Sequence, residues 1–153
     1  MPRKQPSSRR FSVRRSTIHG RGVFALRPIR KGTRVIEYTG EPISNREADR
    51  RYASQYSSPH TMLFIVDAKT VIDANRQGNS ARWINHSCSP NCEAVDDEGR
   101  IYIEAIRDIR RGDELTYDYN LVLDERHTPA AKSAHPCCCG ARRCRGTLLG
   151  TKR

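Results

Sequence analysis

The chain of 153 residues lacks any apolar run approaching the roughly 20 residues that a membrane-spanning helix requires. It also lacks an apolar stretch after its basic first residues, so no secretory signal peptide is visible. We therefore expect an intracellular protein that does not reside in a membrane. The length suits one domain with enough residues to bury a core.

Acidic residues are missing from both ends of the chain. Residues 1–15 contain six Arg or Lys and residues 126–153 contain seven, whereas the rest carries 15 basic against 17 acidic side chains. The formal net charge of +11 is therefore concentrated at the termini. Basic ends are typical of chains that contact a polyanion or an acidic surface, although such charge can also act only to keep a chain soluble. We expect these basic termini to make a weak contact with nucleic acid.

The absence of a secretory signal also bears on the six cysteines, because clustered intracellular cysteines indicate a metal site rather than disulfides. Zinc in a structural site takes four ligands in a tetrahedron. One C-terminal segment offers three at suitable spacing: Cys137, Cys139 and Cys144. The fourth would come from Cys88 or Cys92 and would fasten the basic tail to the centre of the chain. The alternatives are a site made of the tail cysteines alone, including Cys138, and free or redox-active thiols.

The centre of the chain, residues 82–92, combines two Asn, a His, two Ser, two Cys and a Pro in eleven positions. Asn, Ser and Pro favour turns, and the Asn and Ser side chains compete for backbone hydrogen bonds. A bend that carries so many ligating side chains indicates a functional site. The alternative is a cysteine-containing loop without chemistry.

A second candidate segment is residues 19–25, in which Gly20 and Gly22 flank Arg21. Two glycines let the backbone turn sharply and let a ligand approach closely. The segment is not a dinucleotide-binding fingerprint, because neither a third glycine nor a helix follows. A plain hairpin turn is the alternative.

The hydrophobic pattern predicts many short strands, with turn signals every ~8–12 residues. The predicted strands cover residues 11–15, 23–25, 33–39, 62–66, 70–72, 93–95, 100–105 and 115–119. Ser44-Asn45-Arg46-Glu47 is a capping box, which predicts one surface helix running to about Tyr56. The fold class is therefore mainly β with few short helices, without a parallel α/β sheet.

One internal similarity links distant parts of the chain. Residues 27–32, Arg-Pro-Ile-Arg-Lys-Gly, resemble residues 107–112, Arg-Asp-Ile-Arg-Arg-Gly. Each segment precedes a strand that ends in tyrosine, Tyr38 in the first case and Tyr117 and Tyr119 in the second. The pattern predicts that these tyrosines converge. The alternative is that Ile-basic-basic-Gly is simply a favourable sequence for entering a turn. The similarity is too short to be a repeat.

Five motifs occur in one order along the chain. They are Gly-Arg-Gly-Val-Phe-Ala at 20–25, Glu-Tyr-Thr-Gly-Glu at 37–41, Arg-Trp-Ile-Asn-His-Ser-Cys-Ser-Pro-Asn at 82–91, Glu-Leu-Thr-Tyr-Asp-Tyr at 114–119, and Cys-x-Cys-Gly-x-x-x-Cys-Arg-Gly at 137–146. Together they resemble SET-domain protein lysine methyltransferases that end in a post-SET zinc-binding segment. The resemblance covers residues 11–150 and is specific because all five motifs occur in order.

The resemblance implies a β-clip-like SET fold of small sheets. It also implies a pseudoknot, formed where the Asn-His segment and the last strand thread together, which is an exception to the usual avoidance of threaded chains. We expect a disordered basic tail at 1–10, a SET domain at 11–122, a linker at 123–135 and a post-SET zinc segment at 136–153.

The resemblance also implies a role for each matching residue. Tyr119 is the expected catalytic tyrosine, Tyr117 tunes how many methyl groups are added, and Tyr38 lines the lysine channel. S-adenosylmethionine is the expected cofactor, bound by His19, Gly20, Arg21, Gly22, Arg82, Asn85, His86 and Tyr119. One structural Zn²⁺ is expected on Cys88, Cys137, Cys139 and Cys144. Met62 stands where family members often have Tyr, which puts one wall of the pocket in question.

The function implied is S-adenosylmethionine-dependent protein-lysine N-methylation, with a histone tail as a plausible substrate and a bias towards monomethyllysine set by Tyr117. Such a protein would lie in the cytoplasm of a bacterium, or in the nucleus or on chromatin elsewhere. The alternatives are an inactive scaffold with the same fold and a basic zinc module that binds nucleic acid.

Overall fold

A computed structural model describes residues 10–52, 62–121 and 126–150. Within these ranges the chain forms mainly short strands, with two short α-helices and one 3₁₀ turn. In chain order they are β1 (Phe11–Arg15), β2 (Arg21–Ala25), β3 (Arg34–Tyr38), β4 (Glu41–Ser44), α1 (Asn45–Tyr52), β5 (Leu63–Ile65), β6 (Thr70–Asp73), the 3₁₀ turn (Ser80–Trp83), β7 (Asn85–His86), β8 (Cys92–Asp97), β9 (Arg100–Ala105), β10 (Thr116–Tyr117) and α2 (Pro129–Ala134). The predicted fold class, mainly β with small sheets, is confirmed.

Some predictions fall outside the described residues. They are the disorder of residues 1–9, the end of the first helix near Tyr56, the first part of the linker at 123–125 and the last residues of the zinc segment at 151–153. The described part of the linker contains α2, which was not predicted. This helix begins where the Thr128 side chain accepts a hydrogen bond from the Ala131 N–H, with Pro129 in its first turn.

The strands form three small sheets. β1 and β2 make an antiparallel pair, and β4, β6 and β5 make a three-stranded sheet in that spatial order. β4 was not predicted as a strand because it contains Pro42, and it is an edge strand, the position in a sheet that tolerates proline. The Ser44 hydroxyl at the end of β4 then accepts a hydrogen bond from the Glu47 N–H at 3.1 Å, as the predicted capping box requires.

The third sheet has five strands in the spatial order β3, β9, β8, β10, β7. β8 and β9 form the predicted hairpin, whereas β10 lies between β7 and β8 and pairs in parallel with both. Only residues 87–91 connect β7 to β8, so the last strand is inserted between two neighbouring parts of the chain. This insertion is the arrangement expected from the predicted pseudoknot, and it brings the Asn-His segment against the tyrosine strand.

The two similar segments at 27–32 and 107–112 pair with each other. Ile29 and Ile109 exchange both backbone hydrogen bonds, at 2.9 and 2.8 Å. The Gly32 N–H donates to the Ala105 carbonyl at 2.7 Å, and the Gly112 N–H donates to the matching carbonyl of Ala25 at 2.8 Å. The turns are therefore related by an approximate two-fold axis, although they lie 80 positions apart in the sequence.

The core lies between the sheets and the 3₁₀ turn. Both isoleucines of the paired turns, Ile29 and Ile109, are buried in it. Its largest fully buried side chains are Ile84, Ile103, Ile109, Leu115, Leu149, Val23, Asp73 and Cys92. Tyr38 and Tyr117 belong to the same cluster, so the predicted channel residues are anchored directly in the core.

Candidate active site and metal centre

Asn85 begins β7 and is held by three acceptors. Its side-chain nitrogen donates to the backbone carbonyls of His19 at 3.0 Å and Arg21 at 2.9 Å, and to Glu114 Oε1 at 2.9 Å. The amide is only 7% exposed, so these bonds satisfy a buried donor group. Asn85 therefore fixes the His19–Gly22 loop against the five-stranded sheet.

Glu114 is a site residue to which the sequence analysis gave no role. Its two carboxylate oxygens accept from the Ser16 hydroxyl at 2.8 and 2.9 Å while Oε1 also accepts from Asn85. A methyl group added at Gly22 would overlap Glu114 Oε1. The glycine at position 22 thus makes room for this carboxylate, and its expected contact with the cofactor stays a prediction.

His86 is 3% exposed and lies next to both the tyrosine strand and the cysteines. Its Nδ1 accepts from the Tyr119 N–H at 3.0 Å, so the neutral ring carries its hydrogen on Nε2, which lies 3.3 Å from Cys88 Sγ. Burial lowers the pKa of His86 to about 4, although the carboxylate of Asp118 opposes this shift. At neutral pH the 3.6 Å contact between His86 and Asp118 is therefore not an ion pair.

The three predicted catalytic tyrosines converge, as the internal similarity predicted. The Tyr117 and Tyr119 ring centroids are 4.9 Å apart, and Phe64 lies between Tyr38 and Tyr117, at 5.2 and 6.5 Å from them. Burial raises the pKa of all three hydroxyls, so they stay protonated at neutral pH. The Tyr119 hydroxyl donates to the Ile84 carbonyl at 2.5 Å. Met62 packs against the core cluster to which Tyr38 and Tyr117 belong.

A cleft opens between the His19 loop, the Asn-His strand and the C-terminal cysteines. Its lining combines a carboxamide and two imidazoles with apolar walls. It is formed by Ile18, His19, Asn85, His86, Tyr119, Pro136, Cys137, Cys138, Cys139 and Leu148. Four of the predicted cofactor residues, His19, Asn85, His86 and Tyr119, therefore share one cleft. A few polar groups between aromatic and aliphatic walls are typical of a small-molecule site.

The other predicted cofactor residues, Gly20, Arg21, Gly22 and Arg82, are not among the residues that line this cleft. Gly20 has φ +45°, which favours glycine, and with Arg21 it forms a neighbouring surface hollow. Arg82 lies with its guanidinium 5.0 Å from the Trp83 ring and its Nη1 3.4 Å from the Ala74 carbonyl. Its buried Nε has no hydrogen-bond partner within the described part of the chain.

Four cysteines form a candidate metal centre. The sulfur atoms of Cys88, Cys137, Cys139 and Cys144 all lie within 4.8 Å of one another. Cys88 Sγ is 3.8 Å from Cys137 Sγ and 4.0 Å from Cys144 Sγ. Tetrahedral zinc with bonds of about 2.3 Å to sulfur sets neighbouring sulfurs about 3.8 Å apart, so this donor set fits the ion.

Three thiols of this cluster differ in how readily they ionise. Burial opposes ionisation of Cys139, but hydrogen bonds from the N–H groups of Cys88 and Ala141 and from neighbouring thiols lower its pKa to about 6. Burial raises the pKa of Cys88 and Cys137. Thiolates are the metal-binding form of cysteine, so these two sulfurs would be ionised by a bound cation.

The two remaining cysteines stay apart from this cluster. Cys92, an alternative fourth ligand, lies fully buried in β8, where it pairs with Ala105 and Tyr117. Cys138, the ligand of the tail-only alternative, is exposed. The structure thus selects Cys88, which the chain order of the cysteines alone left open.

Contacts other than sulfur also fasten the C-terminal segment. Arg145 forms a bidentate ion pair with Asp118 at 2.6 and 3.0 Å, and its backbone N–H points to Cys88 Sγ at 3.3 Å. The Leu121 N–H donates to the Leu148 carbonyl at 3.3 Å. The segment that lines the cleft is therefore attached directly to the residues that follow β10.

The comparison with protein-family models identifies the fold that holds this site. The model of the SET domain matches residues 20–120. The chain belongs to the SET-domain family. The matched range contains Asn85, His86 and all three converging tyrosines, and the cysteine cluster that follows it fits a post-SET metal site.

Curated relatives of this SET-domain protein carry the names of histone-lysine methyltransferases. It is 44% identical over 139 residues to "Histone-lysine N-methyltransferase, H3 lysine-4 specific" of Schizosaccharomyces pombe, covering 87% of this chain and 14% of the relative. It is 42% identical to "Histone-lysine N-methyltransferase 2B" of Homo sapiens, covering 95% and 5%. It is 41% identical to "Histone-lysine N-methyltransferase ATX2" of Arabidopsis thaliana, covering 97% and 14%. The chain thus spans about a seventh or less of these relatives.

No helix in the described ranges is long and apolar enough to cross a membrane.

Proposed function

We propose that the protein is an S-adenosylmethionine-dependent protein-lysine N-methyltransferase. The observation that carries this proposal is the convergence of Tyr38, Tyr117 and Tyr119 beside the cleft that Asn85 and His86 line. The names of the relatives support the same reaction class. S-adenosylmethionine, when bound in the cleft, supplies a methyl group on a sulfonium, which is already a strong electrophile.

The task left to the protein is to deliver a neutral amine in line with that methyl group. Free lysine has a pKa of about 10.4 and is charged at neutral pH. The aromatic walls formed by Tyr38, Phe64 and Tyr117 disfavour an ammonium ion and lower the pKa of a lysine that enters between them. The amine then loses its proton to water as it is desolvated.

Tyr119 orients the amine rather than deprotonating it. Its hydroxyl stays protonated because burial raises its pKa, and its hydrogen is committed to the Ile84 carbonyl. The hydroxyl oxygen is then left to accept a hydrogen bond from an amine N–H. Alignment of this kind supplies much of the rate in a transfer that needs no strong base.

We further propose a product bias, a substrate and a metal. A hydroxyl at Tyr117 can hold a water in the space that a second methyl group would need, so monomethyllysine is the favoured product. A histone H3 tail is the first substrate to test, because relatives are named for H3 lysine-4. Zinc is the ion proposed for the Cys88 cluster, where it would hold the C-terminal wall of the cleft in place. The basic termini add a weak nucleic-acid contact.

The test is transfer of a labelled methyl group from S-adenosylmethionine to core histones and to a bacterial lysate, with Tyr119→Phe as the control variant. We expect label on a lysine of a histone and its loss in the variant. Label on a lysate protein alone would keep the reaction and change the substrate. Cofactor binding without transfer to any lysine would favour the inactive scaffold and contradict the proposal.

A further inference from the structure

The paired turns create a cationic surface that the sequence did not predict. Both isoleucines of the turns are buried, and the cations around them are exposed. We call this surface the double-turn patch, and it consists of Arg27, Arg30, Lys31, Arg107, Arg110 and Arg111. The residues between the termini are nearly neutral in sum, so this concentration arises only because the Ile29–Ile109 pairing brings two distant turns together.

Nearby acids compensate only part of this charge. Asp108 accepts from the Lys31 backbone N–H at 2.8 Å, and Asp113 accepts from the Arg110 backbone N–H at 3.0 Å. Both carboxylates therefore cap the turns, and Asp113 also makes a long 3.8 Å contact with the Arg110 side chain. The Arg110 side chain remains 90% exposed. Six cations against two carboxylates leave a net charge of +4.

Three other surface arginines are arranged differently. Arg34, Arg100 and Arg145 each meet a carboxylate at 2.6–3.1 Å. Such pairs cancel charge locally, so an approaching polyanion feels little field there. The double-turn patch, by contrast, concentrates a formal net charge of +4 on two adjacent turns.

We propose that the double-turn patch binds the phosphate backbone of duplex nucleic acid. Five of its six cations are arginines, whose forked guanidinium groups match phosphate oxygens. Residues 26–32 and 106–112 contain no aromatic side chain, so the surface is not built to stack on unpaired bases. Contact with backbone phosphates alone positions a protein without reading sequence.

Arg10 lies beside this surface. The Leu26 N–H donates to the Arg10 carbonyl at 2.8 Å, immediately before Arg27, and the Arg10 residue is exposed. Cations spread over Arg10 and two turns match the evenly repeated charges of a nucleic-acid backbone better than a compact acidic cluster on a protein. The surface is separate from the proposed methyl transfer and does not depend on it.

The experiment measures binding of the full chain to a labelled duplex of about 20 base pairs by fluorescence anisotropy, between about 50 and 200 mM salt. Two variants remove the same formal charge from different places. The patch variant combines Arg30→Gln, Lys31→Gln, Arg110→Gln and Arg111→Gln. The matched tail variant combines Arg3→Gln, Lys4→Gln, Arg9→Gln and Lys152→Gln.

We expect the patch variant to bind at least about 30-fold more weakly, and the slope of log K against log salt to fall by about 0.9 per lost phosphate contact. The tail variant should lose clearly less affinity for the duplex than the patch variant. Equal losses of duplex affinity in both variants would mean that binding depends only on the net charge of the chain, which would overturn the proposal. It would also be overturned if the patch variant bound the duplex like the wild type but lost binding to a poly-glutamate peptide, which would assign the surface to an acidic protein.

Two controls keep the result interpretable. The patch variant should unfold at the wild-type temperature and should methylate a free peptide at the wild-type rate, because none of its four residues contributes to the cleft or the tyrosine cluster. The single variant Arg110→Gln repeats the test on a side chain that is almost fully exposed. The proposal would be overturned if both this variant and the fourfold variant kept the affinity and the salt slope of the wild type. The assay contains no cofactor, so failure of the proposed methyl transfer would not affect it.

Discussion

The side-chain nitrogen of Asn85 lies 2.9 Å from Glu114 Oε1, although the two residues are 29 positions apart in sequence. The Ser16 hydroxyl donates to the same carboxylate at 2.8 Å. One carboxylate therefore links the first strands of the chain to the Asn-His strand. Hydrogen bonds to charged groups stabilise by about 1.5–3 kcal/mol each, so this link is strong enough to fix the amide of Asn85.

The first prediction concerns Glu114 as a positioning residue. Glu114→Ala should weaken cofactor binding by about 10- to 100-fold, which corresponds to the loss of about 1.5–3 kcal/mol of hydrogen bonding to a charged group. Glu114→Gln keeps one acceptor oxygen and should therefore lose less affinity for the cofactor than Glu114→Ala does. Isothermal titration with S-adenosylmethionine measures the affinity, and the KM for the peptide should change little. A defect confined to the peptide KM would contradict this role.

Gly22 supplies a sharper version of this test. A side chain at position 22 would overlap the Glu114 carboxylate, so Gly22→Ala should weaken cofactor binding by displacing Glu114. The double variant with Glu114→Ala should then be no worse than Glu114→Ala alone, because both changes act on one contact. Additive losses would instead mean that Gly22 is needed for the ligand itself.

The sequence predicted most strands because their signals are local. The hairpin of β8 and β9, for example, follows from the turn at Glu98 and Gly99, which adopt φ +54° and +85°. β7 contains two residues and escaped prediction for the opposite reason, because it is a strand only through its pairing with β10 across the fold. β10 also contains two residues and is the part of the strand predicted at 115–119 that forms.

The site was predicted where its residues belong to recognisable motifs, and missed where it depends on tertiary contact. Asn85 and Tyr119 stand in such motifs, whereas the bond between Ser16 and Glu114 joins residues 98 positions apart and has no sequence signature. The double-turn patch shows the same limit. The similarity of its two segments was visible in the sequence, but the concentration of their charge depends on the pairing of Ile29 with Ile109.

The second prediction concerns product specificity at Tyr117. Tyr117→Phe removes the proposed water-binding hydroxyl but keeps the ring that packs 4.9 Å from Tyr119. We expect the dimethyl and trimethyl products to rise by about tenfold or more, which corresponds to about 1.4 kcal/mol in the barrier of the later steps. Mass spectrometry of a peptide substrate measures the products. Efficient trimethylation by the wild type would contradict the proposed bias.

The third prediction concerns removal of the metal. A strong chelator, or Cys88→Ser, should abolish stoichiometric zinc and should increase hydrogen exchange in residues 136–150, because zinc binding and local folding are coupled. Methyl transfer should be lost as the wall of the cleft that contains Cys137 and Leu148 moves away. Cys138→Ser is the matched control for zinc content, since this neighbouring thiol is exposed and lies outside the cluster, although it also lines the cleft. Equal zinc loss in both variants would argue against the proposed ligand set.

The fourth prediction concerns stability in acid and rests on Asp73, which is fully buried at the end of β6. It accepts from the Tyr52 hydroxyl at 2.7 Å and from Arg51 at 3.1 Å, and so ties α1 to its sheet. Burial disfavours the charged carboxylate, but the bond from Tyr52 and those from Asn75 and Arg51 outweigh this cost. The pKa of Asp73 therefore lies below its usual value.

A depressed pKa stabilises the fold above the unfolded value of about 3.9, and this contribution is lost as the pH falls through the folded value. Asp73→Asn should therefore lower the free energy of unfolding by about 2 kcal/mol at pH 7, and the difference from wild type should narrow below about pH 4. Asp97→Asn, which disturbs a half-exposed pair with Arg34, should cost less than about 1 kcal/mol. Urea unfolding from pH 7 to pH 3 measures both variants. A difference in the free energy of unfolding for Asp73→Asn that stayed constant down to pH 3 would contradict a stabilising contribution from the depressed pKa of Asp73.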